Sequence, residues 1–157
     1  MAADENGAGT DLMETAPLMV NAQYIKDLSF EVPDAPEIFE KIDSEPEMDF
    51  QINVASQQMG ERQFEVILMI EVNASVSGNQ LFILELHYAG LFEINDQIDE
   101  KYIGSLIMVE CPHLLFPFAR AIIASVTQES GLPPLMVPPI DFNALAAAQM
   151  GQGAGNA

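Results

Sequence analysis

Few side chains in this sequence have the types and spacing that catalysis requires. The most reactive-looking group is Glu110-Cys111-Pro112-His113, which places a thiol and an imidazole close enough along the chain to serve as nucleophile and base. Adjacency in sequence does not establish the hydrogen bond that such a pair needs, and Pro112 predicts a helix break at this point. We therefore interpret Cys111 as a packed thiol and His113 as an exposed imidazole at the break.

Two other groups carry ionisable side chains at suggestive positions. His87 alternates with strand residues, which favours an outward-facing or interface role over a catalytic one. Glu47 and Asp49 lie on one face of a predicted strand, as an acid and base pair would. Nothing in the sequence predicts the desolvation that such a pair needs, so a solvated strand face is the better interpretation.

Sequence signatures of enzymes and of cofactor-binding proteins are missing. The chain holds no phosphate-binding loop, no dinucleotide glycine motif and no metal-binding series of His or Cys. We therefore expect a protein that is not an enzyme and that uses neither a cofactor nor a metal. The only cysteine, Cys111, cannot form an intramolecular disulfide, which fits a reducing compartment.

Nothing in the sequence predicts that the protein itself is exported or inserted into a membrane. Residues 1–5 are acidic where a secretory signal would be basic, and no apolar region with a small-residue cleavage site follows. No uninterrupted apolar run approaches the ~18 residues that a membrane span requires. We expect a cytoplasmic protein without direct membrane insertion.

Acidic residues dominate the charge of the chain. It has 24 Asp and Glu against 5 Lys and Arg, which gives a formal net charge of -19 at pH 7. Phosphate backbones should be repelled, so we exclude nucleic acid as a partner. Such a surface keeps an apolar protein soluble and attracts basic partners through a force that salt screens.

Alternation of apolar and polar residues predicts four strands. They cover residues 20–32, 47–54, 64–76 and 81–94. In the first strand the even positions, including Tyr24, form the apolar side and are expected to face the core. Ser77-Gly78-Asn79 has turn chemistry, so the third and fourth strands should form an antiparallel hairpin.

Helical spacing follows the strands. One apolar stripe covers residues 98–107, and a second helical stretch, residues 114–129, follows the break at Pro112. The second stretch carries one predicted apolar face, formed by Leu115, Phe118, Ile122 and Val126. A proline-rich connector over residues 132–139 cannot be regular helix or central strand. Asp141 then caps a short helix.

These elements predict an α+β fold, a four-stranded antiparallel sheet with long C-terminal helices on one face. A chain of 157 residues is long enough for one domain with one core. We place that domain at residues 19–150. A disordered acidic N-terminal tail is predicted at residues 1–18 and a second disordered tail at residues 151–157.

The chain has more apolar surface than one subunit can bury. Four apolar residues lie on the face of the sheet opposite the predicted helices: Ile67, Met69, Ile83 and Leu91. Two helical segments cannot cover both faces, so another subunit or a ligand should meet this surface, and homo-oligomer formation explains most of the excess. The loop after the first strand adds Ile38, Phe39 and Ile42, for which docking in the core is favoured over availability to a partner.

Four stretches of the chain occur together in a recognisable order. They are residues 24–36 (YIKDLSFEVPDAP), the strand from Phe82 to Phe92, residues 111–120 (CPHLLFPFAR) and residues 138–142 (PPIDF). With them the sequence resembles the bacterial protein-export chaperone family SecB along nearly its whole ordered length. It departs from the family at Ala89-Gly90, where a glycine pair is more usual, in a crossover loop without tryptophan and in a nearly uncharged C-terminal tail.

The resemblance implies a function and an assembly. The implied function is that of an ATP-independent holding chaperone, which binds unfolded secretory precursor proteins, keeps them competent for translocation and delivers them to the SecA motor. The implied assembly is a homotetramer, a dimer of dimers with the sheets outside and the long helices packed between dimers.

The resemblance also implies site residues, by position. The residues that match the SecA-binding positions of the family are Asp27, Glu31, Ile83 and Glu85. Those that match positions affecting tetramer assembly are Leu84, Leu86 and Tyr88. Client grooves in the family lie between the crossover loop, the sheet and the helices, so the candidates for lining them are Ile38, Phe39 and Phe142.

A second hypothesis is a small oligomeric enzyme in which a sheet wraps around a helix. Such a dehydratase-like protein would use His113 or Glu110. Activity on an acyl thioester that His113→Ala abolishes would support the enzyme, whereas client binding retained in that variant favours the chaperone.

Overall fold

The computed structural model describes Leu12 and residues 15–154. Its elements are, in chain order, β1 (Leu18–Glu31), a 3-10 turn (Glu37–Lys41), β2 (Glu47–Gln58), β3 (Gln63–Val76), β4 (Asn79–Ile94), three short helical turns (Glu100–Tyr102, Ile103–Ser105 and Leu106–Glu110), α1 (Cys111–Glu129) and α2 (Phe142–Ala154). The predicted α+β fold, with its antiparallel sheet and C-terminal helices, is confirmed. Most of the predicted N-terminal tail lies outside the described residues, and β1 begins at Leu18 instead of near Val20.

The four strands form one antiparallel sheet in the order β1-β4-β3-β2. β3 and β4 make the predicted hairpin, with Val76 paired to Asn79. Ser77 and Gly78 have φ values of 49° and 81°, the left-handed conformation that both central residues of a type I′ turn require. Side chains alternate across a strand, so one side of this hairpin is a continuous apolar surface. Its fully buried members include Val66, Leu68, Ile70, Val72, Leu84 and Leu86.

Helix α1 covers this apolar side of the sheet. Leu115, Ala119 and Ile123 follow one another at intervals of four residues and are fully buried. The helix packs tightly on the sheet at Gly90, where an added Cβ would lie 2.6 Å from the Phe92 ring and 3.0 Å from the Leu115 side chain. Glycine at this position therefore allows the close packing of α1 on β4.

The buried face of α1 differs from the predicted one. The sequence placed Leu115 in one stripe with Phe118, Ile122 and Val126, but Phe118 is 51% exposed and the other two are only partly buried. The helix is apolar over more than one face, so spacing alone could not decide which face meets the sheet. Leu114 and Phe118 consequently form an exposed apolar stripe on α1.

The predicted helix break at Pro112 is wrong. The chain is helical without interruption from Ile103 to Glu129, and a π-type turn, Leu106–Glu110, directly precedes Cys111. Proline cannot donate the usual hydrogen bond to the carbonyl four residues earlier, and its ring clashes with that carbonyl. Because a π turn has wider spacing, it relieves this conflict and the helix continues through Pro112.

Strand β1 departs from the strict alternation that the sequence predicts. Its pairing with β4 is irregular twice, between Val20 and Ala22 and between Ile25 and Asp27. Each irregularity inserts an extra residue and so moves the following side chains to the other face of the sheet. Tyr24, which was expected to face the core, lies instead on the outer face, the side of the sheet opposite α1, where its hydroxyl reaches Glu65.

Helix α2 begins as the sequence predicts and ends later. The Asp141 carboxylate accepts a hydrogen bond from the Ala144 amide at 3.0 Å, which is the expected N-cap. The helix continues to Ala154, past Gly151, where a disordered tail was predicted. Residues 155–157 lie outside the described part of the chain.

The helical stretch Glu100–Glu129 is long and apolar enough, by length and composition alone, to cross a membrane. Its most apolar 18-residue window has a mean hydropathy of 1.6, and 33% of that window is buried. A helix that packs on a sheet through one face and exposes a second apolar face can be as apolar as a helix that crosses a membrane. The packing of α1 on β4 therefore accounts for part of this apolarity and leaves the exposed stripe to be explained.

Candidate functional site

An apolar cleft opens between the crossover loop (residues 32–46), the sheet and the connector that follows α1 (residues 130–141). Its volume is about 530 Å³, within the range of ligand-binding pockets. The crossover loop contributes Ile42, Ser44, Glu45 and Pro46, the sheet contributes Met48, Leu81 and Phe82, and the connector contributes Leu132, Pro133, Pro134, Leu135 and Met136.

Side chains of α1 hold the connector wall of the cleft with two hydrogen bonds. The Thr127 hydroxyl donates to the Ile123 carbonyl at 2.9 Å and accepts from the Leu135 amide at 2.8 Å. Farther along, the Arg120 Nε donates to the Val137 carbonyl at 3.1 Å. Proline pairs flank these two points, Pro133-Pro134 on one side and Pro138-Pro139 on the other. Because prolines fix φ and cannot pair with a strand, the wall stays extended and separate from the sheet.

The lining of the cleft suits extended peptides of many sequences. Among the lining residues Glu45 alone is charged, so the attraction is mainly apolar and nondirectional. Met48 and Met136 carry flexible thioether side chains, which adapt to ligands of different shape. A cleft of this kind can hold apolar side chains without reading a defined sequence.

The outer face of the sheet carries a group of acidic residues on β1 and β4. The strand register pairs Asp27 with His87, Ser29 with Glu85 and Glu31 with Ile83. The four residues expected to dock the SecA motor, Asp27, Glu31, Ile83 and Glu85, therefore lie together on one face, and we call them the acidic docking face. Within it the His87 Nε2 lies 3.0 Å from the Glu85 carboxylate.

A second polar group on the outer face centres on Glu65. Its carboxylate accepts hydrogen bonds from the Lys26 ammonium, at 2.7 Å, and from the Tyr24 hydroxyl. The hydrogen bond from Lys26 first, and then the one from Tyr24, lower the pKa of Glu65, although burial opposes them. Burial and the neighbouring carboxylate raise the pKa of Tyr24 to about 12. This group links edge strand β1 to β3 across β4.

The sequence matches one family over almost all of its length. A family model described as "Preprotein translocase subunit SecB" matches residues 12–153. The chain belongs to the SecB family. The protein-export protein SecB of Granulibacter bethesdensis is 46% identical over 159 residues, with 96% of this chain and 92% of the relative covered. The SecB of Rhodospirillum rubrum is 42% identical over 149 residues, with 92% of each chain covered.

A solved structure agrees with this assignment at the level of the fold. A SecB-like chaperone of Mycobacterium tuberculosis, solved in complex with a peptide from an antitoxin, superposes with a TM-score of 0.60. It is 16% identical and covers 80% of this chain and 91% of its own. At that identity the superposition shows that this SecB-family chain shares the fold of the chaperone.

The residues expected to line a client groove are only partly accessible in this SecB-family chain. Ile38 is 1% exposed and Phe142 is 3% exposed, and both belong to the core. Phe142 packs edge-on against the rings of His113 and Phe116. Phe39 is 42% exposed. In this conformation Phe39 alone of the three offers a substantial surface to a client.

Sequence reasoning missed most residues of the cleft. The prolines predict an extended connector, but they assign no role to its apolar side chains, Leu132, Leu135 and Met136. A signal was present, because apolar residues beside prolines in a segment that cannot join a sheet need another surface to contact. Which part of the sheet they would face could not be read without the tertiary structure.

The three residues that match assembly positions of the SecB family lie inside this subunit. Leu84 and Leu86 are fully buried on the helix side of the sheet and Tyr88 nearly so. The Tyr88 ring stacks on Phe118, with centroids 6.2 Å apart. Leu84 and Leu86 can therefore influence assembly only indirectly, through the packing of the core, whereas Tyr88 contacts the exposed Phe118 directly.

The cysteine and histidine near the start of α1 do not form an activated nucleophile. Cys111 is buried, and burial, reinforced by the nearby Glu110, raises the pKa of its thiol to about 12. A thiol with that pKa is protonated at neutral pH and is a poor nucleophile. His113 is exposed on the helix, as expected. The geometry gives no support to a dehydratase-like site at Glu110 or His113.

Proposed function

We propose that this SecB-family chain is an ATP-independent holding chaperone, which binds unfolded secretory precursors, keeps them competent for translocation and delivers them to the SecA motor. The observation that carries the proposal is the apolar cleft of about 530 Å³ in a subunit that bears a net charge of -19. Relatives that match over more than nine-tenths of the chain are protein-export proteins.

Client binding is assigned to the cleft, with Met136 in its connector wall and Phe39 on the crossover loop as accessible apolar contacts. Both side chains are about half exposed. An unfolded segment would lie along the connector and place apolar side chains between it and the crossover loop. The surrounding negative charge favours segments with Lys or Arg beside their apolar residues and disfavours acidic ones.

Docking of the SecA motor is assigned to the acidic docking face. Asp27, Glu31 and Glu85 supply three carboxylates, and Ile83 adds an apolar contact between β1 and β4. A basic segment of the motor would be attracted to this surface. Because the carboxylates are solvent-accessible, salt should weaken the association strongly.

Assembly into a homotetramer, a dimer of dimers, is assigned to the exposed stripe of α1. Leu114 and Phe118 lie on this helix, and Tyr102 precedes it; all three are large apolar or aromatic side chains with substantial exposure. A monomer rarely leaves such a patch in water. Packing of these helices between dimers would cover it and leave the acidic docking face outside.

We further propose that the protein acts in the cytoplasm and has no catalytic activity. The low reactivity of Cys111 supports the absence of catalysis, and the single cysteine fits a reducing compartment.

A matched pair of substitutions tests the proposed function. Met136 in the cleft and Met59 outside it are 54% and 55% exposed. Purified protein should retard folding of a secretory precursor and associate with SecA at low salt. Met136→Asp should weaken retention of the precursor, while Met59→Asp should leave it unchanged. A wild-type protein that neither retards folding nor associates with SecA would show the proposal to be wrong.

A further inference from the structure

Two strands that are far apart in sequence bring three metal-binding side chains together on the outer face. Asp27 comes from β1, and Glu85 and His87 come from β4. Each offers one ligand atom, and these three atoms lie within 4.8 Å of one another. No sequence motif marks the cluster, because metal-binding motifs are recognised by short spacings and these ligands come from two separate strands.

The sheet register fixes this arrangement. Asp27 and His87 are direct cross-strand partners, and Glu85 lies two residues from His87, so it points to the same face. The Glu85 carboxylate is already 3.0 Å from the His87 Nε2. Ligand atoms around a tetrahedral zinc ion, at about 2.1 Å from the metal, are about 3.4 Å apart. Small rotamer changes at Asp27 would therefore complete three coordination bonds.

We propose that Asp27, Glu85 and His87 bind a divalent transition metal of the zinc class. An imidazole with two carboxylates selects such ions over Mg²⁺ and Ca²⁺, which prefer oxygen ligands alone. The two carboxylates neutralise the charge of the ion. Glu71 pairs with Glu85 on the same face, and Met69 pairs with His87, so the surroundings add further negative charge. The neighbouring Lys26 ammonium is engaged by the Glu65 carboxylate at 2.7 Å. Three protein ligands leave a fourth position for water.

The two histidines of the chain provide a matched pair for the test. Zinc affinity would be measured on the full chain by competition with a chromophoric chelator. We expect His87→Gln, which keeps a polar side chain of similar size, to weaken zinc binding at least about tenfold. His113→Gln, on the exposed face of α1, should bind zinc like the wild type. Asp27→Asn should also weaken zinc binding. Because Asp27 is exposed, misfolding would be a poor explanation for that loss.

Three results would overturn the proposal. One is equal zinc affinity in wild type and His87→Gln, which would mean that His87 and Glu85 form only a surface ion pair. A second is equal weakening by His87→Gln and His113→Gln. The third is displacement of zinc by a modest excess of Mg²⁺, which would indicate unspecific attraction to the acidic surface. Cobalt substitution adds an independent signature, since visible absorption of the bound ion should disappear with His87→Gln.

Zinc should also oppose SecA docking, a consequence that rests on the proposed function. Bound metal would occupy Asp27 and Glu85, two carboxylates of the acidic docking face. Zinc should then weaken SecA association in the wild type and not in His87→Gln. Zinc that binds as predicted but leaves SecA association unchanged supports the metal site and argues against the docking assignment, so the two ideas fail separately.

Discussion

The hydroxyl of Thr127 accepts a hydrogen bond from the backbone amide of Leu135 at 2.8 Å. This contact joins the last turn of α1 to the wall of the cleft. Thr127 is fully buried, and its hydroxyl also donates to the Ile123 carbonyl at 2.9 Å. The hydroxyl is therefore both a hydrogen-bond donor and a hydrogen-bond acceptor inside the protein. This side chain thereby helps to hold the connector wall of the cleft at a defined distance from the helix that packs on the sheet.

Replacement of Thr127 by valine keeps the shape of the side chain and removes this link. The Leu135 amide, at a part-buried position, would then face the valine methyl group and lose its partner, and leaving a buried donor unsatisfied costs about 1–3 kcal/mol. We expect Thr127→Val to lower the free energy of unfolding in urea by that amount and to weaken precursor retention. Ser125→Ala on the exposed side of the same helix is the control and should change neither. Unchanged stability in Thr127→Val would mean that the connector is held elsewhere.

Gly90 is required by the close contact between α1 and the sheet. An alanine Cβ would approach the Phe92 ring to 2.6 Å, a distance that forces the ring or the helix to move. Overpacking of this kind costs about 1–3 kcal/mol. Thermal unfolding should show Gly90→Ala clearly destabilised. Gly104, where an added Cβ meets nothing within 4 Å, is the control: Gly104→Ala should be neutral or slightly stabilising, since alanine favours helix.

The Glu65 group predicts a pH dependence of stability. The hydrogen bonds from Lys26 and Tyr24 lower the pKa of Glu65 in the folded state, so the folded protein binds this proton less readily than the unfolded chain. The stabilisation is complete above the unfolded pKa of 4.5 and is lost as the pH falls through the lower folded value. Urea unfolding at several acidic pH values should show a shallower pH dependence in Glu65→Gln than in the wild type. Parallel curves would contradict the assignment.

The sequence was sufficient for the layers of the fold but not for every face. Alternation in β3 and β4 and the turn at Ser77-Gly78 specify the hairpin, because one side of each strand is apolar and the turn residues permit positive φ. Strand β1 could not be read in the same way. Its two pairing irregularities depend on contacts with β4, and they move Tyr24 to the outer face, where it bonds Glu65.

Helix α1 shows a second limit of sequence patterns. Its apolar residues cover more than one face, so Leu115 and Phe118 look equivalent in sequence, yet the first is fully buried and the second half exposed. The face that meets the sheet is decided by tertiary packing, in which Leu115 lies close to Gly90 of β4. The cleft could not be predicted for a similar reason, since its walls come from the crossover loop, the sheet and the connector, which are distant along the chain.

The exposed stripe of α1 predicts the behaviour of an assembly variant. Phe118 is 51% exposed, so Phe118→Asp should fold normally and place an unpaired charge in the proposed contact between dimers, which is strongly unfavourable. We expect light scattering to give a smaller particle than for the wild type, with unchanged circular dichroism. Met59→Asp adds the same charge elsewhere on the surface and should keep the wild-type size. An unaltered particle in Phe118→Asp would move the interface away from this stripe.

Charge reversal separates docking from assembly. Glu85 lies on the acidic docking face and pairs with Ser29 of β1, on the side of the sheet opposite α1. Glu85→Lys should therefore weaken association with SecA at low salt, while the oligomer keeps its size, because attraction to a basic segment becomes repulsion. Glu61→Lys, in the exposed loop between β2 and β3, changes the net charge equally and is the control. If both variants weaken the association with SecA equally, only the overall charge of the protein matters. If Glu85→Lys dissociates the oligomer, the outer face belongs to the assembly interface instead.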